Sequence, residues 1–401
     1  MTSAHQGPLQ GIRVLELGQL IAGPFTTTML AYFGAEVIKI EPPGIGDPIR
    51  RWRSMKGDTS LWWYSIGRNK KSVTVDLRHP DGQALVRELA AQCDVLVENF
   101  RPGVMEGWKL GPEDLKVANP ELVYTRISGY GQTGPYAEKP GFASVCEGIS
   151  GFRHLNGFPG EAPVRPNLSL GDSIASLHAI IGILMALNAR DRGVHKGQVV
   201  DVALYETMFN MLESVVPEYA EEGVIREASG TTLTGIVPTN TYRCKDDKFV
   251  IIGGNGDSIF KRLMIEIGRA DFAADPAMTD NAGRVVHQQK IDEAIGDWCR
   301  QHDILTVIEK LEAVRVPVGP IYNAEDMAND PHFQARGLFE KVSIDATNTV
   351  TIPGMSPKLT GTPGATQWAG PKLGQHTDEI LKGILGISDE KLRILKDEAV
   401  I

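Results

Sequence analysis

A carboxylate stands directly before a long apolar segment in residues 168–181, which read LSLGDSIASLHAII. Aspartate is a favoured helix N-cap residue, so one role for Asp172 is to begin a helix. The alternative is a reactive carboxylate placed in a cleft, where a side chain of this type can act as a nucleophile. The apolar residues that follow recur at helical spacing and predict a wide buried stripe: Ile174, Leu177, Ile180, Ile181, Leu184 and Leu187. The residues alone leave both roles of Asp172 open.

Four cations surround a β-type run in residues 67–80, GRNKKSVTVDLRHP: Arg68, Lys70, Lys71 and Arg78. A solvated basic surface is one explanation of such a cluster. The other is a site for a polyphosphorylated ligand, such as a nucleotide or coenzyme A (CoA), which lysine and arginine bind through charge-assisted hydrogen bonds. Because the chain as a whole is acidic, this local positive charge keeps the second explanation open.

Two glycine-rich segments follow predicted strands. Residues 18–24, GQLIAGP, lack the Lys-Ser/Thr of a Walker loop and do not match G-x-G-x-x-G, so they carry no nucleotide-binding fingerprint. They form either a tight strand-to-helix turn or the wall of a cleft in which glycine lets a ligand approach the backbone. Residues 251–260, IIGGNGDSIF, form either another turn or a mobile flap whose backbone N–H groups close over a reacting group.

Composition and charge narrow the class of ligand. The 401 residues carry a formal net charge of -9, with 42% hydrophobic and 23% charged residues. We do not expect a globular protein this acidic to bind nucleic acid or an anionic membrane surface, because both attract positive charge. A small-molecule ligand is therefore favoured.

The cysteines and the N-terminal residues bear on the compartment. Four scattered cysteines, at positions 93, 146, 244 and 299, form neither a disulfide framework nor a Cys-X-X-Cys zinc site, so we expect reduced thiols in a cytoplasmic protein without a metal. The N-terminal residues MTSAHQGPLQG contain neither a basic nor an apolar leader segment, and no 18-residue stretch lacks polar groups. We therefore expect a protein that is neither exported nor inserted in a membrane.

Strand-like and helix-like segments alternate through the first part of the chain. The strand-like runs are IRVLEL (12–17), EVIKI (36–40), KSVTVDL (71–77), DVLVENF (94–100) and ELVYTRIS (121–128). Helical segments such as FTTTMLAYFG and PDGQALVRELAAQ lie between them. This alternation predicts an α/β fold with a Rossmann-like, doubly wound parallel sheet, whose ligands bind at the carboxyl ends of the strands.

The pattern changes after about residue 205. A helical stretch, ETMFNMLESVVPEYA, leads into a Gly/Thr-rich segment and then into a strand pair with a charged turn, TYRCKDDKFVIIGG. We interpret residues 1–205 as the N-terminal part of a large α/β domain and residues 225–330 as a smaller α/β domain. Residues 331–401 are interpreted as a C-terminal return that completes the large, discontinuous domain.

Across nearly its whole length the chain resembles the family III CoA-transferases, a group that includes formyl-CoA transferase, carnitine CoA-transferase and α-methylacyl-CoA racemase. Each motif is weak alone, but together they are specific. They are GIRVLELGQLIAGPFTTTMLAYFGAEVIKIEPPGIGDPIR, NKKSVTVDL, DVLVENFRPGVME, ISGYGQTGPYAEKPGF, LSLGDSIASLHA, GQVVDVALYE and VPVGPIYNAEDM. The resemblance implies an interlocked homodimer of two-domain subunits, with CoA esters as substrates and no permanently bound cofactor.

The resemblance also implies a mechanism. In this family the aspartate of the Gly-Asp pair is catalytic, and it aligns with Asp172. The carboxylate attacks an acyl-CoA thioester and forms a mixed anhydride; CoA then attacks the enzyme's acyl carbon and leaves an aspartyl-CoA thioester. An incoming acid reverses these steps. By the same resemblance, Gly253 and Gly254 belong to a flap that covers water-sensitive intermediates.

A CoA site is implied as well. The positions that line it in the formyl-CoA transferase branch match Gln19, Ala22, Arg78, Asn99 and Phe100, with Lys139 next to another. Arg101 and Lys71 are added on their charge alone. Many relatives have an arginine at the position of Gly107 and a basic residue at that of Pro42, so we expect the phosphate contacts to differ in detail.

A further departure favours transfer over racemisation. Racemases of the family pair the aspartate with a histidine that moves a proton on and off the α-carbon, and this histidine aligns with Phe142. In an acyl-CoA racemase or isomerase, His178 or His154 would have to substitute for it. The family's frequent acidic residue at the next position is Ala143 here. Glu147 follows one helical turn later, and it either orients a group in the pocket or is an ordinary helix carboxylate.

One arginine suggests a class of acceptor. Arg165 lies seven residues before Asp172 and could bind a second carboxylate bidentately, although a surface arginine is the simpler explanation. We predict a CoA-transferase with a donor such as succinyl-CoA, formyl-CoA or acetyl-CoA. The acceptor is predicted to be a dicarboxylate, with oxalate, glutarate, malate and itaconate as candidates. A non-catalytic CoA-ester binding protein remains an alternative, since it would need no nucleophile.

Overall fold

The computed structural model describes residues 7–401 of the chain, which form two compact units. The large unit comprises residues up to Phe152, Pro166–Pro217 and Gln334–Ile401, and the small unit comprises Arg153–Arg165 and Glu218–Phe333. The first six residues, on which part of the prediction about a leader segment depends, lie outside the described residues.

Short runs rich in valine and isoleucine form most of the strands, in keeping with the β propensity of these residues. In chain order the strands are β1 (Arg13–Glu16), β2 (Glu36–Glu41), β3 (Met55–Lys56), β4 (Thr59–Ser60), β5 (Lys70–Thr74), β6 (Val95–Glu98), β7 (Val123–Ser128), β8 (Val199–Ala203), β9 (Thr239–Arg243), β10 (Phe249–Gly253), β11 (Val318–Pro320), β12 (Phe339–Ser343) and β13 (Thr349–Pro353).

Helices connect the strands and cover them. In chain order they are α1 (Ala22–Tyr32), α2 (Leu61–Ile66), α3 (Pro80–Ala90), α4 (Val104–Gly107), α5 (Pro112–Lys116), α6 (Ala143–Ile149), α7 (Phe152–Leu155), α8 (Leu170–Asp191), α9 (Leu204–Phe209), α10 (Val215–Glu222), α11 (Asp257–Glu266), α12 (Ala270–Ala274), α13 (Asn281–Val286), α14 (Gln288–Cys299), α15 (Ile304–Ala313), α16 (Ala324–Asn329), α17 (Pro331–Ala335), α18 (Thr377–Leu385) and α19 (Asp389–Asp397). Short 3₁₀ turns at Pro48–Arg51 and Pro276–Met278 complete the set.

Six strands of the large unit form one parallel sheet in the order β5-β2-β1-β6-β7-β8. The central strand, β1, pairs in parallel with β2 on one side and with β6 on the other. The strand order therefore reverses between β1 and β6, and doubly wound sheets bind their ligands outside the carboxyl ends of the strands at such a switch point. The predicted α/β class and Rossmann-like parallel sheet are confirmed.

Alternate side chains of the central strands point to opposite faces of the sheet. On one face Leu15 and Ile38 pack with residues of α3, α18 and α19. On the other face Val14 and Val37 pack with residues of α1 and α8. The C-terminal return is thus part of one core layer of the large unit.

Helix α8 is, within residues 7–401, the one helix long and apolar enough to cross a membrane by length and composition alone. Helices in protein cores pass the same test. Ala175, Ala179 and Ile183 of α8 lie in the core of the large unit, where they pack with residues of α1. We therefore describe α8 as a helix with one face in the core. The prediction of a wide buried stripe was wrong for Leu177, Ile181 and Leu184, which are exposed.

The small unit contains an antiparallel sheet in the order β11-β10-β9. Its strands β9 and β10 are the pair predicted from TYRCKDDKFVIIGG, and Arg243 pairs with Phe249 next to the charged turn. Residues of α11, α14 and α15 cover this sheet, among them Phe260, Ile295 and Leu311.

The units differ from the predicted domains mainly at residues 153–165; the small unit also spans Glu218–Phe333, where the prediction gave 225–330. Residues 153–165, which the prediction assigned to the large domain, belong to the small unit. In this segment the N–H of Val164 donates to the carbonyl oxygen of Asn156 at 2.9 Å, and the carbonyl oxygen of Gly157 accepts from the N–H of Gly230 at 2.9 Å. The segment carries no long periodic pattern, so its sequence did not indicate which unit it joins.

Candidate active site

The loops that follow β1 and β6 meet at the switch point through a reciprocal pair of hydrogen bonds. The backbone N–H of Gln19 donates to Asn99 Oδ1 at 2.7 Å, and Asn99 Nδ2 donates to the carbonyl oxygen of Gln19 at 2.9 Å. An amide side chain can bind both backbone polar groups of one residue because it is both donor and acceptor. The structure thus brings two predicted CoA-site residues together, and a third, Ala22, begins α1 nearby.

Two glycines let the turn after β1 close on itself. A Cβ atom on Gly18 would lie 3.1 Å from the Cα of Gly23 and 3.1 Å from Asn99 Oδ1. A Cβ atom on Gly23 would lie 3.2 Å from the Cα of Gly18. Only glycine allows this close approach without displacing a neighbour, so the tight-turn interpretation of GQLIAGP holds, whether or not the turn also lines a cleft.

Leu20, in the middle of this turn, has a φ of 65°, which is uncommon for a bulky residue. Its N–H donates to both carboxylate oxygens of Asp47, at 3.1 and 3.2 Å. Asp47 Oδ2 lies 2.9 Å from Lys39 Nζ, which also donates to the carbonyl oxygen of Gly18 at 2.8 Å. The buried ion pair of Lys39 and Asp47 therefore binds the turn at the carbonyl oxygen of Gly18 and at the N–H of the left-handed residue, Leu20.

Further buried charges extend this network. The side chains of Glu16, Lys39 and Lys70 are fully buried. The two carboxylate oxygens of Glu16 lie 2.7 Å from Lys39 Nζ and 2.9 Å from Lys70 Nζ, and Lys70 donates to the carbonyl oxygen of Pro24 at 2.7 Å. Lys70 is thus held in the protein interior, although the sequence grouped it with cations available to a phosphate. We refer to Glu16, Lys39, Asp47 and Lys70 as the buried charge network.

Asp172 is half-buried and is the third residue of α8. A carboxylate in the first turn of a helix lies at the positive end of the helix dipole, which stabilises an anion. Ser169 makes no side-chain cap at this end, and instead Glu147 Oε1 accepts the N–H of Gly171 at 3.1 Å. Because Glu147 is fully buried, the structure favours a role in orienting the start of α8 over that of an ordinary surface carboxylate.

Ser176 joins Asp172 to the turn after β1. Its Oγ lies 2.7 Å from the carbonyl oxygen of Ala22 and 2.8 Å from that of Asp172, in position to donate to either. Since Ala22 begins α1, the amino-terminal ends of α1 and α8 lie side by side. The structure therefore brings Asp172, Ala22, Gln19 and Asn99 together beyond the carboxyl end of β1.

Asp172 also lies close to a buried thiol. Burial raises the pKa of Cys146 to about 11, and the negative charges of Asp172 and Glu147 contribute to the increase. Cys146 Sγ donates to the carbonyl oxygen of Gly129 at 3.3 Å. A thiol that stays protonated is a poor nucleophile, so Asp172 is the better candidate nucleophile of the two.

Asn99 and Phe100 follow β6 and are held by a buried carboxylate. The N–H of Phe100 donates to Glu98 Oε2 at 2.7 Å, and Glu98 Oε1 accepts from Arg126 Nε at 2.8 Å. The Phe100 ring packs edge-on against Trp108, with 5.2 Å between ring centroids. Both predicted CoA-site residues therefore sit on a loop whose backbone is fixed from β6 onward.

Three cations predicted for the CoA site are exposed on the loops after β5, β6 and β7. Arg78 binds Asp76 in a bidentate pair with both distances at 2.9 Å. Lys139 Nζ lies 3.5 Å from the centroid of the Tyr136 ring, and Arg101 is exposed just after β6. All three loops leave the carboxyl edge of the parallel sheet. Their part in CoA binding stays a prediction.

Lys71 lies apart from these residues, near the start of β5. Its Nζ pairs with Glu36 at 3.0 Å and with Glu379 at 2.8 Å. It lines a cavity of about 1180 Å³ in the large unit, and among the described residues that line this cavity it is the one predicted site residue. The structure thus does not bring Lys71 to Gln19 or Asp172, and its role in CoA binding rests on its charge alone.

Gly253 and Gly254 lie at the end of β10 in the small unit. The N–H of Gly254 donates to the carbonyl oxygen of Pro238 at 2.8 Å, and a Cβ atom on Gly254 would lie 3.0 Å from Pro238 Cγ. The buried guanidinium of Arg284 donates to the carbonyl oxygen of Asn255 at 2.7 Å. These contacts favour a fixed loop over the predicted mobile flap, and the catalytic role of the two glycines stays a prediction.

The remaining predicted residues are distributed over both units. Phe142 is exposed at the start of α6, and Arg165 is exposed at the end of the 153–165 segment of the small unit. His154 Nε2 lies 3.2 Å from Glu227 Oε2 within the small unit. His178 follows Asp172 by six residues, so the two side chains point to different faces of α8. Neither histidine stands out as a second acid or base beside Asp172.

Two residues of this site were not singled out from the sequence. Ser176 lies one helical turn after Asp172, a spacing that could have indicated a shared helix face. Asp47 lies in the motif GIGDPIR, but its partners Leu20 and Lys39 are distant in the chain, so only the folded structure shows what it binds.

Sequence comparisons place the chain in a known family. A sequence model of CoA-transferase family III matches residues 9–377. The chain is 44% identical over 396 residues to a succinyl-CoA–D-citramalate CoA-transferase of Chloroflexus aurantiacus, an alignment that covers 98% of each chain. It is 41% identical over 403 residues to the alpha subunit of a succinyl-CoA–L-malate CoA-transferase of the same organism, covering 100% of this chain and 94% of that one.

A solved structure agrees with these relatives. The crystal structure of a CAIB/BAIF family protein from Brucella suis matches with a TM-score of 0.83 at 31% sequence identity. The match covers 94% of this chain and 100% of that chain.

Proposed function

Because the chain belongs to CoA-transferase family III and is a CoA-transferase, we propose that it moves CoA from succinyl-CoA to a short dicarboxylate, with Asp172 as the nucleophile. The two relatives named above support these substrates, since they are named for succinyl-CoA together with citramalate or malate. The observation that carries the role of Asp172 is its half-buried position in the first turn of α8, beside the turn after β1.

The first half of the reaction releases succinate. A carboxylate oxygen of Asp172 attacks the thioester carbon of succinyl-CoA, and the C–S bond breaks to give a mixed anhydride and CoA thiolate. The thiolate then attacks the side-chain carbonyl carbon of Asp172. The anhydride C–O bond breaks, succinate leaves, and an aspartyl-CoA thioester remains on the enzyme.

The second half repeats these steps in reverse order with the acceptor. A carboxylate of the acceptor attacks the aspartyl thioester carbon, which gives a new mixed anhydride and frees CoA thiolate. The thiolate attacks the acceptor's acyl carbon, and the Asp172 carboxylate leaves. The products are the acceptor's CoA ester and the original enzyme, so electrons and atoms balance without an external co-reactant.

The start of α8 suits this chemistry. The helix dipole stabilises the Asp172 carboxylate and the negative charge that develops on its oxygens when the tetrahedral intermediate forms. The amino end of α1 lies beside it, so the positive ends of two helix dipoles meet at this point. Both helices are anchored in the core of the large unit, which limits the reorganisation needed during the reaction.

An acid screen tests the proposed function. The enzyme is incubated with succinyl-CoA and, separately, with D-citramalate, L-malate, glutarate, itaconate, oxalate or acetate, and the CoA esters are identified by mass spectrometry. We expect a new dicarboxyl-CoA ester formed in equal amount to the succinate released. Exchange of the α-hydrogen of an acyl-CoA for solvent deuterium, without any new ester, would instead indicate a racemase.

We propose that Arg165 binds the far carboxylate of the acceptor. Arg165→Met removes a guanidinium that can hold a carboxylate bidentately, so the KM for a dicarboxylate should rise by roughly tenfold to a hundredfold, as expected for a charge-assisted pair. The KM for a monocarboxylate of similar size should change little. The matched control is Arg243→Met, which removes another exposed arginine of the small unit. Equal effects of Arg165→Met on both acids would contradict the role.

We further propose that the enzyme is an obligate, interlocked homodimer. Leu177, Ile181, Leu184 and Met185 form one exposed apolar stripe on α8, with exposures of 45%, 50%, 41% and 68%. An apolar helix face of this kind suits burial against a second copy of the chain. We expect light scattering at micromolar concentration to give twice the subunit mass, and slow exchange between labelled and unlabelled dimers. A folded, active monomer under these conditions would rule the proposal out.

A further inference from the structure

We propose that Ser176 is a positioning residue, which holds Asp172 in register with the turn after β1. The inference rests on the proposed role of Asp172 as the nucleophile. Ser176 is fully buried, so its hydroxyl cannot exchange these contacts for water. Its single proton lies between two carbonyl oxygens, at 2.7 Å from Ser176 Oγ to Ala22 and 2.8 Å to Asp172.

The segment around Ala22, whose carbonyl oxygen accepts from Ser176, is held by several contacts. The turn before Ala22 is bound by Asn99 through Gln19 and by Asp47 through the N–H of Leu20. The buried charge network binds the carbonyl oxygen of Gly18, at the start of this turn, and that of Pro24, in the first turn of α1. The carbonyl oxygen of Ala22 is therefore fixed in position, and the hydrogen bond that Ser176 donates to it fixes the first turn of α8 relative to α1.

The other side of Asp172 is held by a different residue. Glu147 Oε1 accepts the N–H of Gly171, the residue directly before Asp172. A Cβ atom on Gly171 would lie 3.3 Å from Glu147 Cγ, so the two segments pack closely. The backbone at the start of α8 is thus held by Glu147 before Asp172 and by Ser176 after it.

The hydroxyl of Ser176 is not needed to satisfy either carbonyl group. The Ala22 oxygen also accepts from Thr26 Oγ1 at 2.8 Å. The Asp172 oxygen lies within α8, where the backbone N–H four residues later is its regular partner. Removing the hydroxyl therefore leaves no carbonyl without a donor, and its main consequence is a change in how the two helices are aligned.

The test compares Ser176→Ala with the wild-type protein in the succinyl-CoA exchange assay. Displacement of a reacting group by about 1 Å can cost roughly a hundredfold in rate. We expect kcat to fall by about tenfold to a hundredfold, with the KM for succinyl-CoA within about twofold of the wild-type value. The rate at which hydroxylamine traps the activated Asp172 should fall by the same factor, and the thermal midpoint should stay that of the wild type.

The control is Thr207→Val, which removes a buried hydroxyl whose bond stays within its own helix, to the carbonyl oxygen of Leu204 at 2.9 Å. It should leave kcat at the wild-type level. A kcat for Ser176→Ala equal to that of the wild type, or an equal loss in Thr207→Val, would overturn the positioning role alone. Absence of any exchange by the wild-type protein would overturn the proposed function itself.

Discussion

Asp172→Asn should lower kcat by several orders of magnitude while the affinity for CoA stays near that of the wild-type enzyme. An amide oxygen is a far weaker nucleophile than a carboxylate, and losses of roughly 10⁴-fold or more are typical when a nucleophile is removed. Wild-type enzyme incubated with succinyl-CoA and hydroxylamine, without an acceptor, should carry one hydroxamate in the peptide LSLGDSIASLHA. The Asn variant should form none, as measured by peptide mass spectrometry.

The matched control is Asp191→Asn, at the opposite end of the same helix. It should keep the wild-type exchange rate, because its carboxylate is exposed at the last residue of α8. A hydroxamate on a peptide that contains Glu147 or Asp257, or near-normal turnover by Asp172→Asn, would reduce Asp172 to a structural residue of the first turn of α8.

Lys39→Met should lower the free energy of unfolding of the large unit by about 3–5 kcal/mol, because it leaves the carboxylates of Glu16 and Asp47 buried without their shared cation. Tryptophan fluorescence during urea unfolding measures this effect. Five of the six tryptophans, Trp52, Trp62, Trp63, Trp108 and Trp368, belong to the large unit, so the signal reports mainly on that unit.

Lys71→Met is the matched control, because Lys71 also pairs with two carboxylates but is partly exposed. Its loss should cost about 0–1 kcal/mol, as for other surface ion pairs. Equal destabilisation by the two variants would show that the buried charge network holds the large unit no more firmly than surface pairs do.

Lys39→Met should also alter the stability of the protein in acid. Burial alone would raise the pKa of Glu16, but Lys39 and Lys70 outweigh burial and hold this pKa below its usual 4.5. A carboxylate with a lowered pKa contributes stability that is complete above pH 4.5 and is lost as the pH falls through its pKa in the folded state. Without Lys39 the pKa of Glu16 should rise, so the acid loss of stability should begin at higher pH than in the wild type.

Local patterns predicted much of the large unit. The runs IRVLEL and DVLVENF contain β1 and β6, and EVIKI covers β2 except for Glu41, because alternation and β-branched residues are typical of a buried strand. The stretch ETMFNMLESVVPEYA was predicted as one helical segment, but the structure divides it into α9 and α10. Its apolar periodicity continues across the break, so the pattern alone did not reveal where the helix ends.

Such local patterns predicted only part of the candidate active site. The Gly-Asp pair and the turn after β1 are contiguous in the chain, so their residues could be named in advance. The contacts that align them join residues far apart in sequence, such as Ala22 with Ser176 and Leu20 with Asp47. Their geometry depends on how α1 and α8 pack, and no spacing within one segment carries that information.

The C-terminal return has a consequence for biosynthesis. The N–H of Asp76, just after β5, donates to the carbonyl oxygen of Val400 at 2.8 Å, and Leu395 and Val400 are fully buried in the core. The ribosome must therefore release residues up to Val400 before the large unit can close its core. The residues of the small unit, up to Phe333, are translated earlier and can fold first. During that interval one face of the nascent parallel sheet is covered by α3 but lacks α18 and α19, and such exposed apolar surface makes the unfinished chain a natural client for chaperones.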